Sequence, residues 1–391
     1  MAELAGDVLV IGAGPAGLSS AYFLEQAGIS YVMVDRADEI ASTWAHLYKT
    51  LHLNTASFVT YLPGKRMPIT SPVYPSGEQL YQYIRQYAED HQFNIRLGVS
   101  VNRLMPENGG WLAETSAGRV WFPCVIIATG RYSSPIIPPL AGMDEFCGQI
   151  LHARDYHEPS AFAGRRALIV GAGPSGVDIA LELTETARLP VYLSVRSDVV
   201  ISRSFPYGLP NSAWLLFARR FLPKRWHNKF LSVVLYQSYP DVKTVGVAIA
   251  PNRSERQGTS TPIRGRGLID AVREGKIAPV SGVTRFHKDS VELADGTHLE
   301  VDTIILCTGY RPTLDFLDID YETDSQGYPK RADDLDEGGT TEVLGWPGLF
   351  LVGRFYRGLG PLYNVRNEAK RAVQEIQAWL ENRQRSASSA G

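Results

Sequence analysis

Cysteine is scarce: the 391 residues contain three. Cys124, Cys147 and Cys307 lie far apart and form no Cys-x-x-Cys pair. That argues against a disulfide framework, a zinc site and a local redox dithiol, and no metal ligand set is expected. Long apolar runs are absent, so no membrane-spanning helix is expected. Charge of one sign is not in excess either. Lys and Arg number 39, Asp and Glu 41, for a formal net charge of -2. Such a balance leaves no basic footprint, and nucleic acid is not an expected partner. The 44% hydrophobic and 20% charged fractions are those of a soluble globular protein. A chain of this length accommodates about two domains. The first apolar strand, Val8 to Ile11, runs at once into a glycine turn. A signal peptide is therefore not expected, and a cytoplasmic location is. The oligomeric state is left open, a homodimer included.

Glycine, in contrast, is plentiful and patterned. Gly12-Ala13-Gly14-Pro15-Ala16-Gly17 follows the apolar stretch Asp7 to Ile11. Helical apolar spacing then runs from Ala16 to Ala27, Gly28 can cap it, and Tyr31 to Val34 reads as a second buried strand ending at Asp35. The plan recurs in mid-chain. Ala167 to Val170 leads into Gly171-Ala172-Gly173-Pro174-Ser175-Gly176, then a helix through Val177 to Leu183 and a strand from Val191 to Val195, ending at Arg196 and Ser197. In each loop the first glycine permits a tight turn. The second lets the backbone approach a pyrophosphate, and the third lets helix and strand pack closely. The amides and dipole of the following helix attract phosphate charge. Two such loops predict two dinucleotides on one polypeptide, with electrons passing between them: FAD on one lobe and a nicotinamide cofactor on the other.

The two acceptors after the second strands differ in charge. Asp35, with Arg36 beside it, stands where a carboxylate accepts from a ribose hydroxyl. Arg196 and Ser197 stand at the corresponding place in the second unit. A guanidinium there clamps a 2′-phosphate, which favours NADPH over NADH. Arg203 is a second candidate for that phosphate. The plainer alternative for Arg196 is a surface arginine at a strand end.

A second repetition is the exit strand. Val125-Ile126-Ile127-Ala128-Thr129-Gly130 resembles Ile304-Ile305-Leu306-Cys307-Thr308-Gly309. In a doubly wound α/β lobe such a strand can be where the chain leaves. The expected architecture is therefore two Rossmann-like lobes, the nicotinamide lobe (residues 156–300) inserted into a discontinuous FAD lobe (1–155 and 301–391). Pro135 to Pro139 suits a hinge. A helical insertion is expected near 205–245, where aromatics mix with Arg219, Arg220, Lys224, Arg225 and Lys229. It reads as a substrate lid or a solvated insertion rather than a membrane-touching surface, since the basic run is interrupted and no lipid-anchor signal accompanies it. The strand Leu349 to Val352 leads through Gly353 to a helix over Val365 to Leu380, and a disordered tail is expected after Arg383.

Between the loops lies Phe146-Cys147-Gly148-Gln149-Ile150-Leu151-His152-Ala153-Arg154-Asp155-Tyr156. It resembles the FxGxxxHxxx[FY] signature of class B flavin monooxygenases, the family of flavin-containing monooxygenases, N-hydroxylating monooxygenases and plant YUCCA enzymes. The resemblance covers nearly the whole chain. Ile40-Ala41-Ser42-Thr43-Trp44 is similar to the YUCCA form of a flavin-contacting turn. Thr129-Gly130 and Cys307-Thr308-Gly309-Tyr310 resemble the family's two Ala-Thr-Gly strands, with Cys307 in place of alanine. Gly345 to Phe350 with Gly353 resembles its closing flavin strand, although Arg354 stands where many disulfide reductases have aspartate.

This resemblance implies that NADPH reduces FAD, that a C4a-hydroperoxyflavin forms with O2, and that one oxygen atom passes to a small N, S or carbonyl substrate, 2-oxo acids included. It implies that Phe146, Gly148, His152 and Tyr156 couple the motions of the lobes; His152 can equally be a structural histidine. Asn54, in Tyr48 to Ala56, resembles the asparagine that some relatives place beside the flavin's reactive edge, and is the catalytic candidate. The plainer alternative is an asparagine in a loop turn. Two other functions stay open: an NADPH-dependent flavoprotein disulfide reductase, and a flavin-binding redox sensor without oxygenase activity.

Overall fold

The computed structural model describes residues 4–132, 134–196, 199, 201–235, 263–324, 326–331, 339–354 and 358–390. It divides into two compact units, Met1–His46 with Ser57–Ser134 and Tyr310–Gly391, and Leu47–Ala56 with Pro135–Gly309. The divisions fall at 134/135 and 309/310 rather than at the expected 155/156 and 300/301. The reason is strand pairing. Gln149–His152 and Thr303–Leu306 form the edge and its neighbour in the second unit's sheet, so they cannot belong to the first.

The first unit is built on a five-stranded parallel sheet in the order Leu349–Leu351, Cys124–Ile127, Val8–Ile11, Tyr31–Val34, Ile95–Arg96. The three central strands are uninterrupted apolar runs and are buried throughout, as a sheet covered on both faces requires. The helix Pro15–Gln26 lies over them, and the carboxy-terminal helix Pro361–Ala390 packs along it. That last helix begins earlier than the expected Val365 and continues through the tail expected to be disordered. The helix Gly77–His91 buries Leu80, Tyr83, Ile84, Tyr87 and Ala88, a stripe at helical spacing. Ser76 and Gln79 close its amino end as a reciprocal capping box. An antiparallel meander, Val101–Glu107, Gly110–Thr115 and Gly118–Phe122, precedes the strand Cys124–Ile127.

The second unit repeats this plan. Its parallel sheet runs Ile277–Val280, Arg188–Ser194, Arg166–Val170, Thr303–Leu306, Gln149–His152. The helix Pro174–Leu183 covers the loop strand, and a meander of Val283–Phe286, Ser290–Leu293 and His298–Glu300 precedes Thr303–Leu306. One core lies on the helix side around Ile169, Ile179, Leu183 and Leu193. The other lies beneath the meander around Leu168, Phe286, Val291 and Ile304. The expected insertion is a helix pair, Asn211–Phe221 and Lys224–Leu235, joined by ring contacts of Phe230 with Trp214 and Phe217; residues 236–245 of the expected span lie outside the described residues. No helix among the described residues is long and apolar enough to cross a membrane.

Candidate functional site

Both glycine loops sit between the central strand of a parallel sheet and a helix amino terminus. Gly12 adopts φ +113°, and a Cβ there would lie 2.5 Å from the Ala128 carbonyl oxygen. Gly171 adopts φ +111°, and its Cβ would lie 2.6 Å from the Cys307 carbonyl oxygen. A Cβ on Gly17 or Gly176 would come within 1.9 Å of the carbonyl oxygen of Gly12 or Gly171. These positions are closed to any side chain. The middle glycines are the opposite. A Cβ on Gly14 or Gly173 meets nothing within 4 Å, so open space lies before the backbone there. Pro15 and Pro174 occupy the first helical turns, and no side chain caps either helix. Ala16 is buried beneath the first loop and Ser175 is half-buried in the second. The loops therefore have the close-packed floor and unfilled front that a pyrophosphate cradle needs.

Asp35 is held against the first loop. Its Oδ2 accepts from the Ala13 amide at 2.7 Å and its Oδ1 from the Ala37 amide at 2.9 Å. Arg36 is exposed beside it. The short helix Ser42–Ala45, which carries a half-buried Trp44, is tied to the same loop by Ala41, whose amide donates to the Ala13 carbonyl at 3.1 Å. Thr129 donates to the Thr313 carbonyl, and Gly130 adopts φ +74°. Gly353 donates to Glu368 at 2.7 Å. Glu368 was not legible as a site residue. It lies on the carboxy-terminal helix, is buried, and also receives the Arg354 amide and the Arg331 guanidinium. The Arg354 side chain turns instead to Asp324, at 2.6 Å. An acid in the middle of a helix carries no signal of its own in the sequence; only the fold aims it at the strand end.

In the second unit Arg196 is exposed just beyond the strand Arg188–Ser194, and Arg203 is half-buried. Ser197 lies outside the described residues. The signature residues all belong to this unit. Phe146 packs edge-on to Phe286, with ring centres 5.9 Å apart. Gly148 makes a close backbone approach, since a Cβ there would lie 2.5 Å from the Asp302 carbonyl oxygen. His152 is buried and bonded at both nitrogens: Nδ1 accepts from the Arg154 amide at 3.1 Å, and Nε2 faces the Gly309 carbonyl at 3.2 Å. An accepting Nδ1 requires the proton on Nε2. Burial pushes the imidazole below its usual value, in keeping with a neutral ring.

Tyr156 is fully buried, stacks on Phe162 and donates to Glu182 at 2.8 Å. Burial pushes the Glu182 carboxyl up to about 7. Tyr48 donates to Asp178 on the same helix at 3.1 Å. Neither acid stood out in the sequence, because each sits among apolar residues on an ordinary helical face. Through Tyr48, and through the Lys49–Glu158 pair, the segment Leu47–Ala56 is anchored to the second unit. Asn54 is half-buried within that segment.

All three cysteines are free. Burial pushes the Cys124 thiol up to about 12 and raises that of Cys307 as well. Such thiols stay protonated and are poor nucleophiles.

The family model for pyridine nucleotide-disulphide oxidoreductases matches residues 9–204, half of the chain. The chain belongs to this family. Within the oxidoreductases it is a class B flavin-dependent monooxygenase. It is 29% identical over 403 residues to the probable indole-3-pyruvate monooxygenase YUCCA8 of Arabidopsis thaliana, covering 98% of this chain and 92% of the relative. The solved flavin-containing monooxygenase from Stenotrophomonas maltophilia is 26% identical, with a TM-score of 0.71, covering 96% of this chain and 99% of that one. Bacillithiol disulfide reductase from Staphylococcus aureus shares the fold, with a TM-score of 0.70 over 95% of this chain and 98% of that one, but is 17% identical. The reductase alternative is set aside on this distance and because all three cysteines are free.

Proposed function

We propose that the first unit holds FAD, that the second holds NADPH, and that the enzyme transfers one oxygen atom of O2 to a small aryl-bearing 2-oxo acid of the indole-3-pyruvate kind. The observation that carries this reading is the pair of open glycine cradles, one ending at Asp35 and the other at Arg196. Gly12, Gly14, Gly17 and the amides after Pro15 would seat the FAD pyrophosphate, with Asp35 on the adenosine ribose. Trp44, Thr129, Gly130 and Gly353 would border the rest of that cofactor. Gly171, Gly173, Gly176 and the amides after Pro174 would seat NADPH, with Gly309 beside it and Arg196 and Ser197 on its 2′-phosphate.

Bound FAD and NADPH supply the hydride transfer and the activation of oxygen. The chain supplies orientation, charge and dryness. The Asn54 amide would donate a hydrogen bond at the reacting edge. The neutral His152 would hold Gly309 in place through its Nε2 proton. Phe146 and Tyr156 would keep the signature segment fixed to the second unit while the units work together. The YUCCA relatives support the 2-oxo acid, through similarity along nearly the full chain. Three free thiols suit the reducing cytoplasm.

The test is a substrate panel with the FAD-loaded protein, reading NADPH oxidation, O2 uptake and peroxide release together. Indole-3-pyruvate or phenylpyruvate is expected to accelerate NADPH oxidation and to suppress peroxide. Sulfides or amines doing so while 2-oxo acids do nothing would overturn the substrate assignment. Asn54→Ala is expected to retain flavin while leaking more peroxide; unchanged coupling would remove Asn54 from the reaction.

A further inference from the structure

The second unit's meander carries a feature that neither nucleotide needs. Val291, Leu293 and Phe286 turn inward to the core beneath it. Alternation along the strands then sends their neighbours to the other face. Glu292 lies directly across from His298 in the ladder between Ser290–Leu293 and His298–Glu300. His287 follows Phe286, and its amide closes the turn onto the Ser290 carbonyl at 2.9 Å. Two imidazoles and a carboxylate thus meet on one face, with their donor atoms all within 4.8 Å of one another.

His287 Nε2 is shut off from solvent and makes no hydrogen bond. A buried ring nitrogen without a partner is uncommon, because it has given up water for nothing. Glu292 Oε2 stands 3.8 Å away, too far for a hydrogen bond. That gap has a natural filling. Two ligands each about 2.0–2.1 Å from a tetrahedral zinc stand about 3.4 Å apart. The observed separation needs only a small side-chain adjustment to reach it. The His287 and His298 rings are 5.2 Å apart between centres, close enough to share one ion.

We propose that His287, Glu292 and His298 form a binding site for a divalent transition-metal cation, with zinc the best match. Two imidazoles and one carboxylate are the donor set that zinc favours, and a fourth position is left for water or another ligand. The ion would staple the turn at 287–290 to the strand His298–Glu300. The Cys147 amide donates to the Lys288 carbonyl of that turn at 2.8 Å, and Phe146 packs on Phe286 just before it. A bound ion would therefore stiffen the support of the signature segment.

The test uses the untagged, FAD-loaded full chain titrated with zinc chloride by calorimetry, with thermal unfolding as a second readout. One equivalent is expected to bind and to raise the unfolding midpoint. His287→Ala, Glu292→Gln and His298→Ala are each expected to weaken binding by at least about tenfold, since each removes a ligand that holds the metal directly. His298 is exposed, so its replacement should leave the zinc-free midpoint unchanged; this keeps the result interpretable if His287→Ala unfolds. Absence of stoichiometric binding in the parent protein, or undiminished binding in His298→Ala and Glu292→Gln, would overturn the site.

Discussion

The two units solve the same problem twice and differ at a few atoms. Each has a parallel sheet with a glycine loop on its central strand, a helix over that loop, and an antiparallel meander before the exit strand. Ala128 of the first exit strand and Cys307 of the second play one role, presenting a carbonyl oxygen against the first glycine of the loop. What differs is the charge beyond the second strand. Asp35 is locked to its loop by two amides, while Arg196 is exposed. Shared backbone geometry thus explains why both units can hold a dinucleotide. The side chain at the strand end explains how they would tell two dinucleotides apart. A carboxylate accepts from a free ribose and repels a 2′-phosphate; a guanidinium attracts it.

Both loops are most sensitive at their third glycines. Gly17→Ala and Gly176→Ala each put a methyl 1.9 Å from a backbone oxygen, so strand and helix must part. Overpacking of this kind typically costs about 1–3 kcal/mol, or about five- to 150-fold in an equilibrium. Gly17→Ala is expected to lose flavin on purification, read from the visible absorbance per mole of protein. Gly176→Ala should stay yellow and lose NADPH affinity. Loss of flavin from both would deny the units their separate cofactors.

A smaller effect is expected at the strand ends. Arg196→Ala should raise the KM for NADPH about ten- to a hundredfold, the range of a lost charge-assisted contact, and leave that for NADH unchanged. Asp35→Ala should weaken flavin and leave the NADPH to NADH ratio alone. Equal effects of Arg196→Ala on both nucleotides would remove its role as discriminator.

The shared parts of this architecture were legible, because they rest on local rules. Tyr31 to Val34 was predicted with its observed ends, and both loops lie where the apolar strands and glycines placed them. The unit boundaries were not legible. The strand Gln149–His152 looks like part of a linker until Thr303–Leu306 is seen beside it, and that pairing joins residues some 150 positions apart. The anchoring of the Asn54 segment was hidden for the same reason, since Tyr48 finds Asp178 only in the folded chain. The carboxy-terminal tail misled in another way. Its Ser- and Ala-rich composition reads as a solvated end, yet alanine is the best helix former and the helix simply continues.

Glu182, on the helix over the second loop, gives that unit a pH dependence. Its carboxyl is held near 7, against an ordinary 4.5, chiefly by burial. The folded protein therefore keeps a proton that the unfolded chain gives up between those values. Stability falls as pH rises through that interval, and the deficit is complete above about 7. Glu182→Gln keeps an acceptor for Tyr156 and removes the titration. Its thermal midpoint is expected to match the parent near pH 4.5 and to exceed it near pH 8; parallel curves would show that Glu182 is ionised as usual.

The smallest change is expected at Cys307→Ala. The residue supplies a backbone oxygen 2.6 Å from the Cβ that Gly171 lacks, and a Cβ that would lie 3.3 Å from one on Gly176. Alanine keeps both groups, as Ala128 does in the first unit. Only a sulfur is lost, worth no more than about 1 kcal/mol of burial. A thiol that burial keeps protonated has no part in electron transfer, so NADPH oxidation and oxygen coupling should match the parent. In a flavoprotein that worked through a dithiol, the same substitution would abolish turnover. An inactive but well-folded Cys307→Ala would move this chain from the oxygenases to the reductases, even though its glycine cradles are compatible with either.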